Sequence, residues 1–384
     1  MIALAVFAAT PVCAWGNPTA ADVARQRFQD MIETHEVPLA GTSVTIMRQG
    51  DILLNESIGV RDVAAGVPTT PETRYRLYSV AKPFTAAAAL KLAEDGLLDL
   101  DAPIGEILTS LPEHVQGITT RQLMANRSGI RHYRQGEWVS VSNRICTEPN
   151  DALPDFIGDP LEFAPGTDNV YSTFGFVLLS AVLQAAVERS YQDIMNFTVF
   201  ARANMESIAL DGRTLDGFAV SEFYLHDDER TPPFMRVFDY DPTINASCKF
   251  GGGGFVGTSI DLARFGDALL NGKILSNASL NDMWTLRTPN SEFPGYALGF
   301  FDGQTWLENL ARLRREQEGI SSNAFPIPVA WFHGGSGAGG YSILFIYPDD
   351  DLVISMASNT RAGGNLIMLD VHAIAEPFLE RGRE

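Results

Sequence analysis

Ser79-Val80-Ala81-Lys82-Pro83-Phe84-Thr85-Ala86-Ala87-Ala88-Ala89-Leu90-Lys91-Leu92-Ala93-Glu94-Asp95-Gly96 is the stretch at which the period of the sequence changes. Four consecutive alanines between Phe84 and Leu90 read as a buried helix, with Gly96 as its stop. Upstream the pattern has period two. Thr42 to Met47 alternates and is β-branched, Gln49-Gly50-Asp51 marks a turn, and Ile52 to Val60 alternates again, which is a hairpin signal. Before the hairpin, residues 20–36 read as an amphipathic helix.

Downstream, helical segments recur with long loops to about residue 250. Phe176 to Val187 reads as a mostly apolar helix and Thr258 to Leu270 as a capped one. Strands are expected again at Tyr296 to Phe301, Trp331 to His333, Tyr341 to Tyr347 and Leu352 to Ala357, with a last helix over about 365–379. Strands at both ends and helices between imply an α+β fold: one antiparallel sheet flanked by helices, plus a mostly helical region. The expected division is 15–78 with 251–384 as the α/β region and 79–250 as the helical region, with the active site in the cleft between them. Two stretches look like excursions from this scaffold, about 218–250 and 303–328, the second with a short surface helix at Leu307 to Gln317.

The composition is that of a globular chain of 384 residues, 45% hydrophobic and 20% charged. Its net charge of −19 provides no basic stripe, which argues against nucleic acid as a partner and against a polyanionic membrane surface. A small-molecule or peptide substrate is the partner expected; oligomeric state is not legible. No charged residue precedes Asp22, and Met1 to Ala14 is apolar with Val12-Cys13-Ala14 at its end. This reads as a signal peptide of residues 1–14, too short to span a bilayer, and implies a periplasmic or secreted protein; an apolar segment packed on the domain is the alternative. After such cleavage Cys146 and Cys248 remain, either as a disulfide or as two buried thiols; a Cα separation beyond about 7 Å would forbid the bond.

Three motifs carry candidate chemistry. Ser79-Val80-Ala81-Lys82 places a serine and a lysine three apart, on one helix face. Only four lysines occur, Lys82, Lys91, Lys249 and Lys273, so a lysine in an apolar turn is informative. A desolvated Lys82 with its pKa brought from about 10.4 to about 7, roughly 4 kcal/mol, would take the Ser79 proton. The same residues also fit an N-cap serine beside a snorkelling lysine. Ala164-Pro165-Gly166-Thr167-Asp168-Asn169-Val170-Tyr171-Ser172-Thr173-Phe174-Gly175 holds Tyr171 at a helix entrance, where the helix dipole and a nearby ammonium would favour a phenolate able to relay protons; a core tyrosine bonded to backbone is the plainer reading. In Phe332-His333-Gly334-Gly335-Ser336-Gly337-Ala338-Gly339-Gly340-Tyr341, His333 ends a strand and a glycine-rich turn follows. Its backbone N–H groups could serve half of an oxyanion hole, or the turn is only a turn. No serine has glycine at both −2 and +2, and no H-E-x-x-H occurs, so an α/β-hydrolase elbow and a zinc protease are both absent. His132, in Ser128-Gly129-Ile130-Arg131-His132-Tyr133, is a further candidate, with a backbone-bonded loop histidine as the alternative.

Taken together and in this order, these motifs resemble the serine β-lactamase-like family of class C β-lactamases, D-alanyl-D-alanine carboxypeptidases and β-lactamase-like esterases. The resemblance covers about residues 20–380. Ser-Val-Ala-Lys-Pro, Ser-Gly-Ile-Arg-His-Tyr and Tyr-Ser-Thr-Phe-Gly are most similar to the mitochondrial members. The resemblance implies a β-lactamase/transpeptidase-like fold, Ser79 as nucleophile, Lys82 as its proton acceptor, Tyr171 as second relay, and His333-Gly334-Gly335 in place of the Lys/His-Thr-Gly strand. The oxyanion hole would be the N–H groups of Ser79 and Ser336, with Gly335, Thr173 and Tyr133 against the substrate. It implies a serine hydrolase that forms an acyl-enzyme and needs no metal or organic cofactor. Thr173 stands where the family has asparagine, and His333 where it commonly has lysine. Both departures favour ester or peptide-like carbonyls over efficient penicillin hydrolysis. A catalytically weak binding or assembly protein on the same fold is the rival expectation, because fold does not fix activity.

Overall fold

The computed structural model of the protein describes residues 18–137, 144–212, 220–227, 231–240, 244–287, 295–318, 327–361 and 366–379. The apolar segment 1–14, read above as a signal peptide, lies outside them. Helix α1 (Ala20–Thr34) opens on a capping box in which the Thr19 hydroxyl and the Asp22 carboxylate satisfy each other's backbone N–H groups. Strands β1 (Gly41–Arg48), β2 (Asp51–Asp62) and β3 (Val67–Pro68) come from the first part of the chain. Strands β4 (Phe301–Asp302), β5 (Trp331–Gly337), β6 (Gly340–Tyr347) and β7 (Leu352–Ser358) come from the last part. They form one seven-stranded antiparallel sheet in the order β3-β2-β1-β7-β6-β5-β4.

Period two sorts the sheet's side chains between two cores. On one face, Val44, Ile46, Ile343, Phe345, Ile354 and Met356 pack with α1, α5 (Gly303–Glu318) and α6 (Ile367–Ala375). On the other, Met47, Leu344, Ile346 and Val353 join the larger core around α2 (Ala81–Glu94), α3 (Thr173–Val187) and α4 (Ser259–Leu270). Because both faces are covered, every residue of β6 is buried. This is the α+β architecture expected from the sequence.

Three local expectations are corrected. Tyr296 to Phe301 is a reversal and not a strand: Gly299 stands at φ +82°, the Ala297 N–H bonds the Phe300 carbonyl, and only Phe301–Asp302 pairs with β5. His333 does not end its strand. β5 runs on to Gly337 and the hairpin turns at Ala338-Gly339, so the glycines serve close approach, as shown below. The helix expected as a surface feature at Leu307 to Gln317 is α5, whose Leu307 and Leu310 are buried in the sheet core. Within 218–250, Tyr224–His226 and Phe234–Arg236 form a small two-stranded ribbon.

The open question of the cysteines closes on a disulfide. Cys146 and Cys248 are bonded with a Cα separation of 4.9 Å, across 102 residues. A cross-link closing a loop of about that length removes about 4–5 kcal/mol of unfolded-state entropy. Cys248→Ala is accordingly expected to lower unfolding stability by about 2–5 kcal/mol in urea titration; an unchanged midpoint with unchanged slope would show that the bond is energetically idle.

Candidate active site

The chain enters the site through a one-turn 3-10 helix, Tyr78–Val80, that continues directly into α2. Tyr78 sits at φ +46°, in the left-handed region that non-glycine residues avoid. Its hydroxyl donates to the Ala338 carbonyl and its ring lies against Gly337 and Gly340, so the β5–β6 hairpin holds the strained residue in place. The next residue, Ser79, is thereby presented to a cavity of about 960 Å³.

Lys82, one turn on, is fully buried. Its Nζ is 3.0 Å from Ser79 Oγ, 3.2 Å from Thr173 Oγ1 and 2.7 Å from the Gly252 carbonyl oxygen. It also lies over the Tyr171 ring, 4.7 Å from the centroid. Among the described residues no carboxylate pairs with it. Burial, and then the like charge of Lys249, push its pKa well below the ordinary lysine value. All three partners are oxygens that accept from Lys82 Nζ; once the amine is neutral, two N–H groups suffice for Gly252 O and Thr173 Oγ1, and its lone pair can then take the Ser79 hydroxyl proton. The glycine run explains the approach. A Cβ on Gly252 would sit 2.6 Å from the Thr173 carbonyl oxygen, and one on Gly251 2.5 Å from Thr85 Oγ1.

Tyr171 precedes α3, whose N-cap is Ser172, with its hydroxyl 2.9 Å from the Gly175 N–H. The Tyr171 hydroxyl hydrogen-bonds Ser79, so serine, lysine and tyrosine do converge. The phenolate expected from the helix entrance is not what the environment favours. Burial raises the Tyr171 pKa above the ordinary tyrosine value, against the opposing hydrogen bond from Ser79. Desolvation outweighs the dipole because the ring is enclosed by His132, Tyr296, Phe301 and His333. Thr173 and Tyr133 both line the cavity; Thr173 Oγ1 accepts from Lys82, and its N–H bonds His132 Nδ1 at 3.2 Å. His132 is thus the backbone-bonded histidine of the plainer reading, with its pKa lowered to about 4, first by burial and then by Lys82 and Lys249.

His333 lies on β5 beneath the cavity, 1% exposed. Its Nδ1–H donates to the Gly334 carbonyl at 2.7 Å, which leaves Nε2 toward the Tyr296 hydroxyl at 3.5 Å. Burial, with Lys82 nearby, lowers its pKa to about 3, so the ring is neutral across the physiological range. Gly335 shows why β5 is glycine-rich here. A Cβ at this position would meet the Leu77 carbonyl oxygen at 2.1 Å, Ser342 Oγ at 2.6 Å and the Ser79 backbone nitrogen at 3.0 Å. Ser342 Oγ in turn donates to Leu77 O at 2.6 Å, pinning the turn that carries Ser79 to the hairpin. Gly335 therefore sets the spacing between the backbone of Ser79 and that of Ser336, which is exposed to the cavity. Gly335→Ala is expected to force the turn off the hairpin and to cut kcat by about a hundredfold, the effect of a displacement of about 1 Å at a reacting centre. Unchanged ester turnover in that variant would mean that Ser336 contributes nothing at this spacing.

Sequence reading passed over two cavity residues. Tyr296, fully enclosed beside Tyr171 and His333, carried no motif. Lys249 is a second buried lysine in the cavity wall, 5.3 Å from the Tyr78 ring centroid and 5.8 Å from that of Tyr133. Its only sequence signals were the scarcity of lysine and its place directly after Cys248. Among the described residues, no group of three His, Cys, Asp or Glu side chains gathers as a metal site would require, and no helix is long and apolar enough to cross a membrane.

Residues 24–375 match the Beta-lactamase family model. The chain is 28% identical over 309 residues to the mitochondrial serine beta-lactamase-like protein LACTB of Bos taurus; the match takes in 62% of this chain and spans about half, 54%, of that relative. The fold is similar to that of the penicillin binding protein from Bacillus halodurans, with a TM-score of 0.74 at 22% identity over 93% of this chain and 99% of the other. It is also similar to D-amino acid amidase from Ochrobactrum anthropi SV3, solved with L-phenylalanine, with a TM-score of 0.71 at 19% identity over 93% of this chain and 95% of that one.

Proposed function

Because the chain belongs to the beta-lactamase family, a family of serine hydrolases, we propose that it hydrolyses an ester or peptide-like amide through an acyl-enzyme on Ser79. The observation that carries this reading is the 3.0 Å contact between Ser79 Oγ and a fully buried Lys82 that no described carboxylate neutralises. Environments that push two neighbouring groups in opposite directions assign their roles. The depressed amine of Lys82 is the base and the raised phenol of Tyr171 is the acid.

Ser79 Oγ gives its proton to Lys82 Nζ and bonds to the substrate carbonyl carbon. The N–H groups of Ser79 and Ser336 receive the oxyanion, each such donor being worth about 2.7–4 kcal/mol. The Tyr171 hydroxyl protonates the departing alcohol or amine, and the proton on Lys82 replaces the one Tyr171 gave. Water then attacks the acyl carbon, loses its proton to the same pair, and releases the acid as Ser79 Oγ is reprotonated. A neutral His333 on β5 gives no cation to the carboxylate of a β-lactam, which supports ranking esters and amides above penicillins. The disulfide supports the proposal that the protein resides in an oxidising compartment outside the cytoplasm.

A fluorophosphonate tests the reading directly. Stoichiometric labelling that maps to Ser79, with kcat/KM for a short-chain p-nitrophenyl ester above that for benzylpenicillin, is the expected result. Absence of labelling would favour the inert binder on the same fold.

A further inference from the structure

The charge of the cavity wall is the reverse of the charge of the chain. Acidic residues outnumber basic ones 47 to 28 over the sequence. Among the described residues that line the cavity stand Arg134, Lys249 and Arg361, and no Asp or Glu. A concave surface of one sign inside an oppositely charged molecule concentrates ligands of the complementary sign.

Lys249 is the buried member of the three, 9% exposed. Among the described residues no carboxylate lies within ion-pair distance of it. Asp211, the acid that acts on it electrostatically, is already engaged: it takes Arg76 Nε at 2.9 Å and the Ala246 N–H at 2.8 Å on one oxygen and the Gly212 N–H at 2.9 Å on the other. Lys249 sits in the 3-10 segment Ser247–Gly252, fixed at one end by the disulfide and at the other by the Gly252 carbonyl on Lys82. A cation held this rigidly, desolvated and without a counter-ion is kept at a large cost unless something else supplies the negative charge.

We infer that Lys249 is the docking group for a carboxylate on the substrate, in place of a cation on β5. The inference rests on the hydrolase reading above. It makes the substrate a monoanionic ester or amide whose charge is recognised from the Ser247–Gly252 segment, beside the Tyr78 and Tyr133 rings. Burial, with Arg76 nearby, lowers the Lys249 pKa to about 8, which leaves the amine charged at pH 7. The groups facing it are Arg76, Asp211, Tyr78, Tyr133, Lys82 and His132. Of these, Lys82 also titrates in catalysis, so its effect is common to charged and neutral substrates and cancels in their ratio.

Two matched pairs of rigid esters test the inference on either side of the scissile bond. One is 4-acetoxybenzoate against methyl 4-acetoxybenzoate; the other is mono-p-nitrophenyl terephthalate against its methyl ester. The readout is the ratio of kcat/KM, acid over methyl ester, in wild type, Lys249→Met and Lys249→Arg. Lys249→Met is expected to lower the ratio about 10- to 100-fold in at least one pair, as for loss of a hydrogen bond to a charged group. Lys249→Arg should keep part of it, and in wild type KM for the acid alone should rise above about pH 8. A ratio unchanged by Lys249→Met in both pairs overturns the inference and leaves the hydrolase reading standing. Hydrolysis of no ester by wild type, together with absence of fluorophosphonate labelling at Ser79, removes the hydrolase reading, and this inference with it.

Discussion

Ser79→Ala is expected to lose at least about a thousandfold of the wild-type rate on a short-chain p-nitrophenyl ester. The size follows from what remains. Alanine keeps the backbone N–H proposed for the oxyanion, the strained Tyr78 and the whole cavity, so substrate still binds. What disappears is the atom that Lys82 Nζ, at 3.0 Å, and the Tyr171 hydroxyl both address. Residual rate would come from positioning and electrostatics acting on water. Because Ser79 is half-buried with a small side chain, the variant should fold with the stability of wild type. Equal rates in the two proteins would remove Ser79 as nucleophile; a loss of rate with collapsed stability would require repeating the test with Ser79→Gly.

The second large effect belongs to Lys82→Met, expected to lower kcat/KM by about 10²- to 10⁴-fold, the range of a general base. The pH dependence separates a base from a packing residue. Burial and Lys249 hold the Lys82 pKa below its ordinary value in the folded protein. The reactive free amine therefore forms as pH rises through that lowered pKa, and wild-type kcat/KM climbs with it and levels off. The residual activity of Lys82→Met should lack this limb. The stability linkage runs in the same direction. Unfolded, Lys82 binds a proton below about pH 10.4. Folded, it releases that proton at lower pH, so the unfolded state holds more protons and this residue's contribution to stability rises with pH. Methionine removes that desolvation cost and orphans the Gly252 carbonyl, two changes of opposite sign, so stability at pH 7 should stay within about 1–2 kcal/mol of wild type. A variant that retains the wild-type acid limb would show that another group titrates there.

What could be read in advance was whatever short-range rules govern. The period change at Ser79, the Gly96 stop, the capped start of the helix at Thr258 and the hairpin at Gln49-Gly50 are local, and the structure has each of them. The strands expected at 341–347 and 352–357 are likewise present, as near-continuous apolar runs buried on both faces of the sheet. The candidate residues Ser79, Lys82, Tyr171 and His333 were legible as chemistry-bearing types in tight local frames. Tyr296 to Phe301 was misread because a turn at Gly299 interrupts an otherwise strand-like run. The helix over 303–318 looked superficial because only Gly303, Leu307 and Leu310 of it are buried.

The sequence by itself determined the elements, the α+β class and the serine–lysine spacing, since these depend on contacts a few residues apart. Only the tertiary structure decided the state of each group. The Lys82 pKa is lowered by burial under segments from across the chain and by the like charge of Lys249, 167 residues on. Whether Tyr171 is a phenol depends on rings brought in from residues 132, 296, 301 and 333. The His333 glycine run reads locally as a turn, yet its spacing matters because Ser79 and Leu77 press against Gly335. Desolvation and close approach are sums over neighbours from the whole chain, and no window of sequence contains them.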